Sequence, residues 1–233
     1  MKTAGIIGGI GPESTVEYYR SIVAAYREQT RDGSYPQLVI NSVNMKRLVD
    51  MFSADDRAGA ALYLAGEVAK LARAGADFAL LSANTPHIVF DEVQARSSIP
   101  LVSIVRATCD AAKGLGLKRL GLFATRFTAR AGFYTEALAA EGITLALPVE
   151  AEQEYIHDKY MNELVNGVFL AETRARLIAI ARRLKTEEAI EGLILGGTEL
   201  PLILREADSE EVCVPFLDTT QIHVKAVVSR LLS

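Results

Sequence analysis

Short apolar runs alternate with longer segments of helical spacing along the whole chain. The apolar runs are hydrophobic at successive positions, which is typical of strands covered by helices on both faces. Strand–helix alternation of this kind indicates βαβ units and a parallel sheet. The predicted strands are Thr3–Ile7, Gln37–Ser42, Phe78–Ser82, Leu101–Val105, Arg119–Ala124, Leu193–Gly196 and Val214–Leu217. The predicted helices are Ser14–Tyr26, Arg57–Ala74, Thr128–Ala140, Tyr155–Asn166, Ala171–Leu184 and Gln221–Leu232.

The two halves of the chain resemble each other. AGIIGGIGPESTVEYYRSI in the first half matches LGLFATRFTARAGFYTEAL in the second, and AGADFALLSANTPH matches AIEGLILGGTELP. Each block places a polar or small-residue turn directly after a buried strand. Ligands of open parallel sheets bind at the carboxyl ends of the strands. The duplication therefore predicts a pair of α/β lobes related by a pseudo-twofold, with a shared ligand cleft between them.

No Pro-, Gly- or Ser-rich linker separates the halves. The final segment, VPFLDTTQIHVKAVVSRLL, has the pattern of one more strand and helix, and we expect it to return to the first lobe. The predicted lobes are therefore residues 1–98 plus 210–233, and residues 99–209.

Composition excludes several classes of function. The 233 residues carry a formal net charge of −4, which gives no basic footprint for nucleic acid or for a membrane surface. No apolar run reaches the ~18 residues of a membrane helix, and the glycine-rich N-terminal stretch is a better strand than signal peptide. Two cysteines, Cys109 and Cys213, form no disulfide framework. We expect a cytoplasmic protein.

Two turns in the first half carry groups that could bind a ligand. Residues 8–15, GGIGPEST, contain Gly11 and Ser14 at a predicted helix start, where an anion is favoured. The alternative is a tight turn without a ligand. Residues 82–87, SANTPH, place Asn84 and Thr85 at a strand end, where they either bind a carboxylate or amino group or cap a helix.

Two turns in the second half have similar character. Thr125, Arg126 and Thr128 follow a strand and suit a carboxylate, although capping explains the hydroxyls equally well. In residues 196–201, GGTELP, Glu199 is either an acid/base group or a group that fixes backbone amides at a helix start. Four polar turns at equivalent strand ends are more specific together than any one of them alone.

These segments resemble the pyridoxal-independent aspartate/glutamate racemase family. The matching segments are GGIGPESTVEYY, ANTPH, ATRFTARAGFY, NELVNGVF, GGTELP and VPFLDTTQIHVKA, which occur in the family's order over nearly the whole chain. The resemblance implies two Rossmann-like α/β lobes with parallel sheets and an active site between them. It also implies a homodimer that needs no cofactor and no metal.

The family removes the Cα proton on one face and returns a proton on the other, using one cysteine from each lobe. Its motifs read Cys-Asn-Thr and Gly-Cys-Thr-Glu, and the corresponding positions here are Ala83 and Gly197. Neither side chain can titrate. The remaining groups near these turns that could act as acid or base are Ser82, His87, Thr198 and Glu199. Cys109, in a predicted helix, and Cys213, before the last strand, are interpreted as structural.

The resemblance also implies a set of residues that hold the ligand. Arg47, in NSVNMKRLVD, is a candidate for a side-chain carboxylate, with a solvated loop arginine as the alternative. The predicted substrate-binding residues are Gly11, Ser14, Arg47, Asn84, Thr85, Thr125, Thr128 and Thr198.

The function predicted by the resemblance is a cofactor-independent racemase or isomerase acting at Cα of an acidic or related amino acid. Because Ala83 and Gly197 carry no proton, alternatives stay open. One is a lyase or decarboxylase using the same cleft. Another is a catalytically silent protein that binds an amino acid or carboxylate. A third is that the cysteines were replaced in the laboratory.

Overall fold

The computed structural model describes residues 2–233 and contains eight strands and twelve α-helices within that range. The strands are β1 Thr3–Gly8, β2 Gln37–Ser42, β3 Phe78–Leu81, β4 Leu101–Val102, β5 Arg119–Ala124, β6 Thr144–Ala146, β7 Gly192–Gly196 and β8 Phe216–Asp218. The helices are α1 Pro12–Thr30, α2 Met45–Ser53, α3 Arg57–Arg73, α4 Phe90–Arg96, α5 Ile104–Gly114, α6 Arg126–Arg130, α7 Phe133–Ala140, α8 Glu150–Asn162, α9 Ala171–Glu187, α10 Leu200–Ile203, α11 Glu206–Val212 and α12 Thr219–Leu232. Two 3-10 turns, Thr85–Val89 and Leu164–Asn166, complete the elements.

The first compact unit is built on a four-stranded sheet in the order β2-β1-β3-β4. All of its strand pairs are parallel. One face of the sheet packs against a cluster that includes the α3 residues Leu64 and Val68. The other face packs against α1 and α12, through Tyr18, Ile22 and the α12 valines. Burial on both faces explains why β1 and β3 are apolar at successive positions.

The second compact unit has a four-stranded sheet in the order β6-β5-β7-β8, again with every pair parallel. Its main core lies between the sheet and helices α8 and α9, where Tyr160, Leu164 and Leu177 pack against Phe123 and Leu195. The two sheets therefore share one strand order. The predicted α/β class with parallel sheets in two lobes is confirmed, and the repeated order agrees with the internal duplication.

The lobe boundaries differ from the predicted ones. The compact units are Met1–Ile104 with Thr220–Ser233, and Val105–Thr219, rather than residues 1–98 plus 210–233 and residues 99–209. The strand β4 pairs with β3 and so extends the first unit. The strand β8 pairs with β7, Leu217 lying opposite Ile194, so only the final helix returns to the first unit. Helical spacing identified that helix, but sequence alone carried no information on which sheet its preceding strand joins.

Several local elements also differ from the prediction, among them the predicted strand Leu101–Val105, which ends at Val102, and the helices α2 and α4, which were not predicted. The strand β6 was missed, since it has three residues and only Ala146 is fully buried. The predicted helix Thr128–Ala140 is two helices, because Gly132 takes the left-handed conformation with φ 81° between them. The predicted helix Tyr155–Asn166 begins earlier, at Glu150, and ends in a 3-10 turn.

Within residues 2–233, no helix combines the length and the apolar character required to cross a bilayer.

Candidate functional site

The turn after β3 is closed by hydrogen bonds to backbone carbonyls. The Ser14 hydroxyl donates to the Ser82 carbonyl oxygen at 2.8 Å, and the Ser82 hydroxyl donates to the Ile7 carbonyl oxygen at 2.9 Å. Both serines are completely buried. These contacts tie the start of α1 and the end of β3 to β1. A buried hydroxyl that already donates its proton is a weak base, which argues against Ser82 as an acid/base group.

His87 lies in the 3-10 turn that follows β3, and both of its ring nitrogens face the backbone. Nδ1 lies 3.1 Å from the Ala83 carbonyl oxygen, and Nε2 lies 3.3 Å from the Ile104 amide nitrogen. Since an amide can only donate, Nε2 accepts and Nδ1 donates, which defines the neutral tautomer. Burial, followed by the nearby His223, lowers the pKa of His87 to about 3. These contacts favour a packing role for His87 over a catalytic one.

The other predicted residues of the first unit occupy three places. Ala83 is 7% exposed and Asn84, directly after it, begins the 3-10 turn. Thr85 is the first residue of that turn and is half-buried. Gly11 is the residue before α1, with φ 91°, and it has no side chain to cap the helix. Arg47 is exposed in α2, and its guanidinium carbon lies 4.1 Å from the centre of the Tyr63 ring.

The side chain of Thr15 closes the glycine-rich turn after β1. Its hydroxyl accepts from the Gly9 amide at 2.8 Å and donates to the Gly11 carbonyl oxygen at 3.1 Å. A side chain at Gly9 would meet the Val43 carbonyl oxygen at 2.4 Å. The backbone after β2 approaches this turn so closely that position 9 has no room for a side chain, which explains the glycine there.

In the second unit, the turn after β5 is a helix cap. Thr125 precedes α6, and its hydroxyl accepts from the Thr128 amide at 3.3 Å. The two hydroxyl oxygens of Thr125 and Thr128 also lie 3.3 Å apart, and both residues are buried. Arg126 pairs with Glu154 of α8 at 3.1 Å. This part of the site combines two buried hydroxyls with the start of a helix.

The turn after β7 holds a network of side chains. The Thr198 hydroxyl donates to Glu199 Oε2 at 2.8 Å, and the Tyr160 phenol donates to the same oxygen. Glu199 is 1% exposed and Tyr160 is 7% exposed. Burial, followed by the charge of Glu199, raises the pKa of Tyr160 well above its usual range. The network therefore brings a phenol, a carboxyl group and a hydroxyl together at the carboxyl end of a central strand.

Gly197 lies directly beneath the ring of Tyr160. A Cβ atom at this position would lie 2.3 Å from Tyr160 Cε2 and 3.1 Å from the phenol oxygen. Tyr160 therefore fills the space of the side chain that Gly197 lacks. The sequence analysis missed Tyr160, because it belongs to a helix and carries no motif of its own. The absence of a side chain at position 197 was the only available signal.

Neither cysteine has the environment of a reactive thiol. Cys109 is buried in α5, and burial, together with Asp110 and Glu141, raises its pKa to about 11. A reactive cysteine requires a lowered pKa. Cys213 is exposed and follows α11 in the left-handed conformation. The burial of Cys109 agrees with the interpretation as a buried structural cysteine, whereas Cys213 does not fit it because it is exposed.

A surface depression of about 530 Å³ lies elsewhere on the second unit. Its lining includes Arg130, Glu136 and Glu150 but none of the predicted site residues. Arg130 is paired with Glu150 and Glu154, so its charge is largely balanced. In residues 2–233, no group of three or more His, Cys, Asp or Glu side chains is arranged to hold a metal ion.

Comparison with known proteins decides the family. Residues 7–227 match the family described as Asp/Glu/Hydantoin racemase. The chain belongs to the Asp/Glu/Hydantoin racemase family. Across 98% of both chains it is 25% identical to the broad specificity amino-acid racemase RacX of Bacillus subtilis (strain 168).

Solved structures of this family have the same fold. A candidate Asp/Glu racemase from Yersinia pestis is 30% identical, with a TM-score of 0.90 and complete coverage of both chains. An aspartate racemase homologue from Pyrococcus horikoshii OT3 is 33% identical, with a TM-score of 0.85 and complete coverage of both chains. This member of the Asp/Glu/Hydantoin racemase family therefore has the same fold as these two structures. It differs from the motifs quoted above at Ala83 and Gly197.

Proposed function

We propose that the protein is a cofactor-independent amino-acid racemase or isomerase that acts at Cα of an acidic or related amino acid. The observation that carries the proposal is the cluster after β7, where Glu199 accepts hydrogen bonds from Thr198 and Tyr160. A family whose reaction is a proton transfer requires a titratable group at this turn. The cluster provides one although position 197 is a glycine.

Substrate binding is proposed for the residues at the carboxyl ends of β1, β3, β5 and β7, where ligands of parallel sheets bind. The buried hydroxyls of Thr125 and Thr128 lie together after β5 and suit a carboxylate. Arg47, already stacked on Tyr63, is the candidate for a side-chain carboxylate. The complete proposed set is Gly11, Ser14, Arg47, Asn84, Thr85, Thr125, Thr128 and Thr198.

The wider proposal is a cytoplasmic homodimer that binds a small amino or carboxylic acid and needs no cofactor. Its support is the family, together with two cysteines that form no disulfide. Free cysteines suit a reducing compartment.

One observation favours a lyase or decarboxylase as the second candidate. Ser82 and His87 in the first unit are engaged with backbone groups, whereas the second unit has a carboxyl–phenol pair. Racemisation requires proton transfer on both faces of Cα, but protonation of a carbanion left by loss of CO₂ requires a donor on one face only. A single titratable cluster is sufficient for the second reaction.

The experiment is Cα proton exchange, followed by NMR in deuterated water, with both enantiomers of aspartate, glutamate and several neutral amino acids. Chiral chromatography of the same samples measures inversion. We expect deuterium uptake together with inversion for at least one amino acid. Uptake without inversion would contradict the racemase and leave a one-sided proton transfer.

A parallel assay measures CO₂ release from malonate-type diacids, which tests the second candidate. A thermal shift with the same ligands detects binding without turnover. Binding with neither exchange nor CO₂ release would contradict both enzymatic candidates and indicate a silent binding protein.

A further inference from the structure

The phenol of Tyr160 occupies the side-chain space above Gly197. Any Cβ at this position would lie 2.3 Å from the ring, closer than real Cβ contacts, so a cysteine and this tyrosine position exclude each other. The position that the family resemblance assigns to a thiol is therefore filled by a different group with a transferable proton. The missing cysteine and the tyrosine are two parts of one structural change.

Packing fixes where this phenol lies. Tyr160 projects from α8 into a core cluster that also contains Phe123, Leu164 and Leu200. Its hydroxyl donates to Glu199 Oε2, and Thr198 donates to the same atom from the other side of the turn. Glu199 is the residue directly before α10, so the start of that helix fixes the position of its backbone. A phenol with a packed ring and an anchored oxygen is held in a defined position, as proton transfer requires.

We propose that Tyr160 is the catalytic residue that exchanges the Cα proton in place of the second family cysteine, with Glu199 as the group that takes up and returns the proton. The proposal rests on the proposed function, because it assumes a substrate with an acidic Cα–H bond. It assigns to one chain position, Tyr160, a role that the family motif assigns to position 197.

The step balances without an external reagent. As the Cα–H bond breaks, its proton binds to the Tyr160 oxygen, and the phenol's own proton moves to Glu199 Oε2. The electron pair stays on the substrate and is delocalised into its carboxyl group. In the reverse direction Glu199 returns its proton to the phenol oxygen, and Tyr160 protonates Cα.

The charge states agree with this order of events. Burial and the Glu199 carboxylate raise the pKa of Tyr160, so the phenol is protonated and donates to the carboxylate in the resting state. The basic group is then Glu199, and Tyr160 conducts the proton between substrate and carboxylate. A phenolate at this position would be repelled by the carboxylate beside it.

The test compares Tyr160→Phe with Tyr134→Phe. Tyr134 is also a buried tyrosine of the second unit, and its phenol hydrogen-bonds to Thr108, so each variant loses one buried hydroxyl contact. With the substrate that the wild type exchanges best, we expect Tyr160→Phe to lower the maximal exchange rate about 100-fold or more, with little change in KM. Tyr134→Phe is expected to stay within about threefold of the wild type.

Two further variants keep the proposal testable if Tyr160→Phe unfolds. Glu199→Gln retains a hydrogen-bond acceptor but accepts no proton, so it is expected to lower the exchange rate at unchanged KM. Gly197→Ala forces the phenol out of its position while leaving both groups in the chain, and it is expected to lower the exchange rate at unchanged KM.

The outcomes separate this proposal from the proposed function. Exchange by the wild type that Tyr160→Phe retains would overturn the role of Tyr160 and leave the racemase intact. Exchange without inversion, abolished in Tyr160→Phe, would support Tyr160 while contradicting the racemase. No exchange by the folded wild type with any substrate would overturn both.

Discussion

The turns after β3 and β7 occupy equivalent places in two sheets of the same strand order, yet their side chains do different things. At the turn after β3, the side chains of Ser14, Ser82 and His87 all contact backbone atoms. At the turn after β7, the side chains of Tyr160 and Thr198 both donate to another side chain, the carboxyl group of Glu199. A hydroxyl bonded to a carbonyl holds the backbone, whereas a phenol bonded to a carboxyl group can also pass a proton.

Two turns at equivalent places in a repeated strand order therefore make different kinds of side-chain contact. In the first turn, the side chains of Ser14, Ser82 and His87 contact backbone groups. In the second turn, Gly197 has no side chain, and Tyr160 of α8 fills the space beside it. Loss of a buried hydroxyl should therefore lower stability more than turnover in the first turn, and turnover more than stability in the second.

Acidification should produce the largest effect on stability, and it should act through the first unit. His87 and His223 are buried there with pKa values lowered to about 3 and about 4, chiefly by burial. The unfolded chain protonates these histidines below a pH of about 6.5, whereas the folded protein does not. Their contribution to stability is therefore complete above that pH and is lost as the pH falls towards 4. Each histidine contributes a slope of up to about 1.4 kcal/mol per pH unit.

Urea unfolding between pH 7.5 and 4.5 measures this slope. His87→Gln and His223→Gln should each reduce it, whatever they do to stability at pH 7.5. His157→Gln serves as the control, because His157 is less buried and belongs to the second unit. A slope unchanged in both first-unit variants would show that these histidines do not set the acid sensitivity.

Restoring a cysteine at position 197 should have the next largest effect. Gly197→Cys is expected to lower the free energy of unfolding by about 1–3 kcal/mol, because the new Cβ overlaps the ring of Tyr160. In a Tyr160→Ala background the same substitution should cost much less, since the ring is gone. Urea unfolding of the four proteins gives the coupling energy.

The corresponding change in the first unit is Ala83→Cys, at a position that already carries a Cβ atom. A Gly197→Cys cost that is the same with and without Tyr160 would contradict the overlap and weaken the comparison between the two turns.

Ser14→Ala should produce the smallest of these effects on stability. It leaves the buried Ser82 carbonyl oxygen without the Ser14 donor, at a cost of about 1 kcal/mol. Thr198→Ala, the paired change after β7, should lower the exchange rate more than it lowers stability. Thermal unfolding and the exchange assay on both variants test the contrast, and a reversed pattern would contradict it.

The sequence predicted the parts of the fold that depend on local pattern. The strands β1, β2, β3, β5 and β7 are long apolar runs, and their predicted positions agree with the structure to within a residue at either end. The short β6 and the partner of β8 could not be predicted, because three-residue strands carry little pattern and sheet pairing depends on distant residues.

The candidate site was predictable to a similar degree. Glycine turns and strand-end hydroxyls identify the segments, and Thr125, Thr198 and Glu199 lie directly after strands as the sequence indicated. Their roles in a site stay a prediction. The direction of each hydroxyl was not predictable, since Ser14 and Ser82 contact backbone atoms far away in sequence. Tyr160 was missed because the space it fills is defined only once α8 packs on the second sheet.

The return of α12 to the first unit has a consequence for synthesis on the ribosome. The Tyr18 phenol lies 2.8 Å from His223 Nδ1, and Val224, Val227, Val228 and Leu231 complete the core around it. These partners are translated after every strand of the second unit has been made. The nascent first unit must therefore hold an open apolar face while the second is completed, so the half that is made first is the last to finish folding.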